Sequence, residues 1–267
     1  MKAAIIGLGA VGSTVTSWLY TKYSDVWLVA RGETKETLRK NGLTSYMFKD
    51  PVNTRLHSEV KIIGNLDKLA DMDIIIIAVK NYSLDNLAKT IKENIKENQP
   101  IIVSMANGTR NQEILPDYFQ HVVYTVIVNN AYKPEPNMVG YKSRGPLIFG
   151  VNEPKNIEYL GKVAEYFKPV VPVEIVEDLQ DAVYSKMVVN LVNSVNTLIG
   201  LNVTQSIDDL SDEDLRLLHE IVGKTMYEGV SVLTADNFTY CKLGICRAGW
   251  SYGQTRIFHG SLLNVDL

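Results

Sequence analysis

A stripe of polar side chains runs along one predicted helix in the second half of the chain. Its members, at i, i+4, i+7 and i+11 with one neighbour beside them, are Lys186, Asn190, Asn193, Thr197 and Ser194. This spacing places them on one helix face. Exposed faces are usually rich in Glu, Lys and Arg, whereas here only Lys186 is charged. We predict that the stripe lines a cleft for a small polar anion; the alternative is the solvent-facing side of an amphipathic helix.

A lysine in such a cleft suits the reduction of a carbonyl group. When hydride reaches the carbonyl carbon, negative charge develops on the oxygen and must be neutralised. The Lys186 ammonium could stabilise that charge and donate the proton. Desolvation would lower the pKa of this lysine and make it a better acid.

A glycine-rich segment near the N-terminus predicts a dinucleotide site. The segment is Gly7-Leu8-Gly9-Ala10-Val11-Gly12. It follows a predicted strand and opens a predicted helix, as the first βαβ unit of a dinucleotide-binding fold requires. The first glycine allows the tight turn, the second admits the pyrophosphate, and the third lets helix and strand pack closely. The helix N-terminus would supply amide donors to the phosphates.

The end of the second strand indicates which dinucleotide binds. Enzymes that use NAD carry an acid there, whereas this chain has Arg31, which can hold a 2′-phosphate through two hydrogen bonds. Lys80 and Asn107-Gly108 follow other strands at the same predicted sheet edge. NADPH is therefore favoured; the alternative is that Arg31 is an ordinary surface side chain.

These residues lie among alternating strand and helix patterns, which predict an α/β fold: a Rossmann-type, mostly parallel sheet followed by a smaller all-helical domain. The segment from Ala131 to Val176 is predicted to form an antiparallel border of that sheet, with one helix near Ile157–Phe167. The predicted strands are Ala3–Ile6, Val26–Val29, Asp73–Val79, Ile101–Met105 and Val122–Val128. The predicted helices between them are Ser13–Tyr20, Leu84–Ile95 and Gln112–Tyr118.

The pattern changes to helix near residue 179. Leu179–Ile199 is one helical pattern closed by Gly200, and Ser211–Asp214 is a capping-box start for a helix that continues to Leu233. After about residue 237 no periodicity is evident, and we expect the helical domain to be incomplete there. The predicted domains are 1–178, which binds NADP, and 179–267, which is helical and serves substrate binding and dimerisation.

Composition excludes several classes of protein. A net charge of −3 over 267 residues gives no electrostatic footprint for nucleic acid. No apolar run approaches the ~20 residues that span a bilayer. The chain has two cysteines, Cys241 and Cys246, and four scattered histidines, so we expect no disulfide framework, no metal site and a cytoplasmic location.

The motifs together resemble the 2-dehydropantoate 2-reductase family, also called ketopantoate reductase. The matching segments are Gly7–Gly12, Arg31, Ala78–Lys80, Asn107–Gly108 and residues 182–190 (Ala-Val-Tyr-Ser-Lys-Met-Val-Val-Asn). The resemblance implies NADPH-dependent reduction of ketopantoate to pantoate, in pantothenate and coenzyme A synthesis, with substrate bound between two domains. It also implies that Lys186 is the proton donor, that Asn190 binds substrate, and that Arg31 and Lys80 meet the 2′-phosphate.

The expected site residues follow from the motifs and the resemblance. The expected cofactor-binding residues are Gly7, Leu8, Gly9, Ala10, Val11, Gly12, Arg31, Lys80, Asn107 and Ala131. The expected substrate-binding residues are Asn107, Lys186, Asn190 and Ser194.

The sequence departs from the family pattern at several positions. Tyr184 stands where a tryptophan is usual, and Ser194 replaces a second asparagine, with Asn193 one place early. The family's C-terminal serine-rich turn and substrate-contacting glutamate are not found after Leu233. Ser251–Gln254 has at most a weak similarity to that turn.

The sequence leaves three candidate functions for the chain. The leading one is reduction of ketopantoate. The second is reduction of another small 2- or 3-oxo acid, which would more often use NAD. The third is a protein that binds NADPH without turnover. The apolar helices after Leu179 could also bury their outer faces in a homodimer.

Overall fold

The computed structural model describes residues 1–198, 210–236 and 238. The chain divides into two compact units, Met1–Leu179 and Gln180–Leu267. Gly200, both cysteines, Ser251–Gln254 and most of the tail that lacks periodicity lie outside the described residues. The roles that the sequence suggests for the two predicted domains stay predictions.

The strands of the described chain form two sheets in the first unit. An eight-stranded sheet has the order β12-β11-β8-β7-β6-β1-β2-β5, and a four-stranded sheet has the order β4-β3-β10-β9. Their bounds are β1 Ala3–Ile6, β2 Val26–Val29, β3 Leu43–Met47, β4 Leu56–Ser58, β5 Lys61–Ile62, β6 Ile74–Ile77, β7 Ile101–Ser104, β8 Val122–Ile127, β9 Ala131–Glu135, β10 Met138–Tyr141, β11 Leu147–Gly150 and β12 Val173–Ile175.

Seven α-helices are present in the described residues. Their bounds are α1 Ala10–Tyr20, α2 Gly32–Asn41, α3 Leu84–Ile95, α4 Arg110–Tyr118, α5 Ile157–Phe167, α6 Leu179–Leu198 and α7 Asp212–Ala235. Short 3₁₀ turns occupy Leu66–Asp71, Asn81–Ser83 and Pro154–Asn156.

The large sheet is mostly parallel and confirms the predicted fold class. Strands β5, β2, β1, β6, β7 and β8 run parallel, and β11 pairs antiparallel with β8. The central strands β1 and β6 are buried at every position, as a sheet covered on both faces requires. Their carboxyl ends lead into the glycine-rich segment and into Ala78–Lys80.

Helix α1 packs against both sheets, on β1 and β2 of the large sheet and on β3, β9 and β10 of the small one. It is buried from Gly12 to Leu19. Two of its threonine hydroxyls form hydrogen bonds within the helix: Thr14 and Thr16 donate to the carbonyls of Ala10 and Gly12 at 2.8 and 2.7 Å. A helix covered on both sides can therefore carry small polar residues without leaving their hydroxyls unpaired.

The structure corrects part of the prediction that Ala131 to Val176 forms the border of the large sheet. The prediction was right for β11, which is antiparallel to β8, and for α5 at Ile157–Phe167. It was wrong for β9 and β10, which leave the large sheet; β10 pairs in parallel with β3. Pro134 fits this placement because it lies in β9, the edge strand of the small sheet, and Pro136 follows the end of that strand.

The second unit is built on α6 and α7. Val188, Val192 and Val195 of α6 form one buried cluster with α7 residues. Helix α7 begins where the capping box predicted, because the Ser211 hydroxyl accepts a hydrogen bond from the Asp214 amide at 3.1 Å. A methyl group at Gly229 would lie 2.8 Å from Leu191, so the glycine permits the close approach of the two helices.

Candidate functional site

The glycine-rich segment forms a turn between β1 and α1, and the fold itself requires two of its glycines. Gly7 has φ of +99°, and a methyl group there would lie 2.6 Å from the carbonyl carbon of Ala78. A methyl group at Gly12 would lie 2.0 Å from the carbonyl oxygen of Gly7. No side chain fits at either position, because backbone atoms cannot give way.

Gly9 differs from the other two glycines. It precedes α1 with φ of −73° and ψ of −166°, a conformation open to any residue. It is exposed, and a methyl group there would meet no protein atom within 4 Å. Nothing within the described chain demands glycine here. The open space at the helix N-terminus is instead suited to an approaching phosphate, which backbone amides and the helix dipole would bind.

A cavity of about 520 Å³ opens beside this turn. Gly7 and Leu8 form one side of it, and Val29, Ala30 and Arg31 follow from β2. Polar side chains complete its wall: Thr34 on α2, Ser83 before α3, and Asn86 and Thr90 on α3. The cavity thus lies at the carboxyl ends of β1 and β2, where open α/β sheets bind ligands.

The structure brings only some of the predicted cofactor residues to this cavity. Gly7, Leu8 and Arg31 line it, and Gly9, Ala10, Val11 and Gly12 continue from the same turn into α1. Lys80, Asn107 and Ala131 do not line it.

Lys80 and Asn107 follow neighbouring strands, β6 and β7, and both are exposed. The Asn81 side chain ties the two loops together by donating to the Asn107 carbonyl at 2.8 Å. The left-handed Gly108, with φ of +82°, completes the second loop. Ala131 is half-buried at the start of β9.

The predicted substrate residues lie on α6 in the second unit. Lys186 and Asn190 are half-buried, whereas Asn193, Ser194 and Thr197 are exposed. Burial lowers the pKa of the Lys186 ammonium from its ordinary value. The stripe is therefore divided: its first turn is sheltered, and its later turns match the alternative of a solvent-facing side.

The sequence analysis missed three parts of the site: the polar side chains of α2 and α3, an exposed tyrosine, and a lysine of β9. Helical spacing could have found Asn86 and Thr90, which stand at i and i+4 on α3, and Thr34, three residues after Arg31. Tyr82 lines the cavity although 85% of its surface is exposed. Lys133 donates to the Leu8 carbonyl, and no signal in the sequence connects these two distant residues.

Two classes of site find no support in the described part of the chain. Its residues include no group of three or more side chains placed to hold a metal ion. None of its helices is both long enough and apolar enough to cross a membrane.

Comparison with known proteins identifies the family. A family model described as ketopantoate reductase PanE/ApbA matches residues 3–154. The chain belongs to this family. Lys186, Asn190 and Ser194 lie beyond the part that the ketopantoate reductase model matches, so their roles stay predictions.

Individual proteins support the same family. A 2-dehydropantoate 2-reductase of Pyrococcus horikoshii is 27% identical over 203 residues, which are 74% of this chain and 64% of that protein. The match thus spans less than two thirds of the relative's length.

Among solved structures, a 2-dehydropantoate 2-reductase of Geobacter metallireducens is 20% identical with a TM-score of 0.77, covering 100% of this chain and 84% of the other. A D-mandelate dehydrogenase with NADH and anilino(oxo)acetate is 18% identical with a TM-score of 0.73, covering 90% and 76%. At under 25% identity, both likenesses concern the fold alone.

Proposed function

We propose that this chain binds NADPH and reduces ketopantoate to pantoate, a step in pantothenate and coenzyme A synthesis. The observation that carries the proposal is the open space at Gly9, which adjoins a cavity lined by Arg31. The family membership and the sheltered Lys186 support the reaction type.

The residues present fit a bound NADPH. Gly9 leaves a cradle that a larger side chain would fill, and the first turn of α1 offers backbone amides for the pyrophosphate. Arg31, exposed at the rim of the cavity, offers two parallel hydrogen bonds to the 2′-phosphate. Thr34, Asn86 and Thr90 offer donors and acceptors to the adenosine half. Bound NADPH supplies the hydride that reduces the substrate carbonyl.

Lys186 would complete the chemistry. Its ammonium neutralises the charge that develops on the carbonyl oxygen and donates the proton to that oxygen. Partial burial lowers the pKa of Lys186, which makes the ammonium a stronger acid. Asn190, one turn further along α6 and also half-buried, would hold the substrate by hydrogen bonds from its amide.

Cofactor choice tests the role of Arg31. Arg31→Ala is expected to raise the Kd for NADPH about tenfold or more and to leave the Kd for NADH within about twofold, because only NADPH carries the 2′-phosphate. Titration calorimetry with both cofactors measures this. Arg39→Ala is the matched control, since Arg39 is exposed on α2, the helix that Arg31 precedes, and does not line the cavity. Equal weakening of both cofactors would contradict the assignment.

A specific observation favours the second candidate, reduction of another small oxo acid: the fold is shared with a D-mandelate dehydrogenase with NADH. Steady-state oxidation of NADPH and NADH with a panel of 2- and 3-oxo acids separates the candidates. Ketopantoate should give the highest kcat/KM with NADPH. Tight NADPH binding without turnover of any oxo acid would favour the third candidate, a non-catalytic binding protein.

The remaining predictions concern assembly and location. Leu217 and Ile221 on α7 are 42% and 46% exposed, and a homodimer that covers this face is proposed; sedimentation would test it. The cytoplasmic location stays a prediction.

A further inference from the structure

The carbonyl oxygen of Leu8 is held by two side chains from different elements. The Ser13 hydroxyl of α1 donates to it at 3.2 Å, and the Lys133 ammonium of β9 donates to it from the small sheet. Ser13 is buried and Lys133 is half-buried. The Lys133 side chain thus extends from the small sheet to the turn at the carboxyl end of β1, and its hydrogen bond holds that turn in place.

Lys133 is an unusual donor for such a contact. Among the described residues, no carboxylate lies within ion-pair distance of it. Burial lowers the pKa of its ammonium from the ordinary value, so holding the charge there costs stability. A half-buried charge without a counter-ion, beside a helix N-terminus that is itself positive, is suited to a site that receives an anion.

The orientation of the next peptide group follows from this contact. The Leu8–Gly9 peptide is trans and planar, so the Gly9 N–H points opposite to the Leu8 carbonyl. Fixing the carbonyl towards Ser13 and Lys133 therefore directs the Gly9 N–H away from them. Gly9 is exposed, with open space around it, and its amide is thus held ready for a ligand.

We propose that Lys133 is a positioning residue of the dinucleotide site, which holds the Leu8 carbonyl so that the Gly9 amide faces the cofactor pyrophosphate. The proposal rests on the proposed NADPH binding. It also gives the small sheet a function, because β9 packs on α1 and carries Lys133 to the turn. The simpler explanation is a lysine that donates to the nearest carbonyl with no effect on binding.

Two ligands separate these explanations. NADPH contains the pyrophosphate, whereas adenosine 2′-phosphate reaches only the part of the cavity near Arg31. Lys133→Met is expected to raise the Kd for NADPH about tenfold or more and to leave that for adenosine 2′-phosphate within about twofold. Lys133→Arg should recover most of the NADPH affinity. Lys49→Met, at an exposed lysine just after β3 of the same small sheet, is the control.

Each outcome decides the proposal. An unchanged Kd for NADPH in Lys133→Met overturns it and leaves NADPH binding by the wild-type chain intact. Equal weakening of both ligands overturns it in favour of a general structural role. If the Met variant unfolds, Lys133→Gln, which keeps a polar end, is measured in its place. A wild-type chain that does not bind NADPH contradicts the proposed function itself, and the inference about Lys133 falls with it.

Discussion

Replacement of Lys186 by Met is expected to lower kcat for NADPH-dependent ketopantoate reduction about a thousandfold or more. The variant loses both the charge that stabilises the developing oxyanion and the proton that neutralises it, and each contribution is worth roughly a hundredfold or more. NADPH affinity should stay within about twofold, since the residues proposed to bind it lie in the first unit. Stopped-flow absorbance of NADPH measures the rate.

A matched control separates the loss of the Lys186 ammonium from a general effect of replacing a lysine in the helical unit. Lys224→Met removes a lysine from α7 of the same helical unit, where the side chain is 73% exposed and paired with Glu220. This variant should retain the wild-type rate. A Lys186→Met enzyme that keeps more than about a tenth of the wild-type kcat would rule out the role assigned to this ammonium.

The pH profile provides a second test of Lys186. Burial lowers the pKa of its ammonium below the ordinary value of 10.5. Because the protonated form donates the proton, kcat should stay high below that lowered pKa and fall as the pH rises through it. In Lys186→Met this falling limb should be absent from the residual rate. A wild-type profile that is flat up to pH 10.5 would contradict the proton-donor role.

Substitution of Gly9 and of Gly12 by alanine should have opposite consequences. Gly9→Ala is expected to fold normally, because its backbone angles suit alanine and the new methyl group meets no protein atom within 4 Å. Its NADPH affinity should fall about tenfold to a hundredfold, since the methyl group occupies the space proposed for the pyrophosphate. Thermal unfolding and calorimetric titration measure the two effects.

Gly12→Ala is expected to lose the fold of the first unit instead. Its methyl group would lie 2.0 Å from the Gly7 carbonyl oxygen, a backbone atom that cannot move without separating α1 from β1. We expect a large fall in the unfolding temperature or insoluble protein. A Gly9→Ala protein that binds NADPH as tightly as the wild type would show that this space is not used by the cofactor.

Local patterns were sufficient to predict the elements that carry the dinucleotide site. Strands β1 and β2 and helix α3 have the predicted bounds. The two strands are short apolar runs, and α3 has its buried residues at helical spacing. The glycine spacing placed the turn, and Arg31 followed from its position after β2. Each of these signals is contained in a short continuous segment of the sequence.

Long-range pairing could not be predicted in the same way. Strand β10 pairs with β3, which lies in a distant part of the sequence. Nothing in the sequence of either strand indicates its partner. The contact of Lys133 with Leu8 depends on that pairing, so it was missed as well. The exposure of Asn193 and Ser194 likewise depends on packing, which a helical pattern alone does not determine.

Transfer of deuterium tests the central claim most directly. The chain is incubated with ketopantoate and NADPH deuterated at C4 of the nicotinamide, with each of the two stereoisomers in turn, and pantoate is analysed by mass spectrometry. We predict that pantoate gains one deuterium from one stereoisomer and none from the other, and that Lys186→Met forms deuterated pantoate about a thousandfold more slowly. A folded wild-type chain that binds NADPH but forms no deuterated pantoate would contradict the assignment of this reaction.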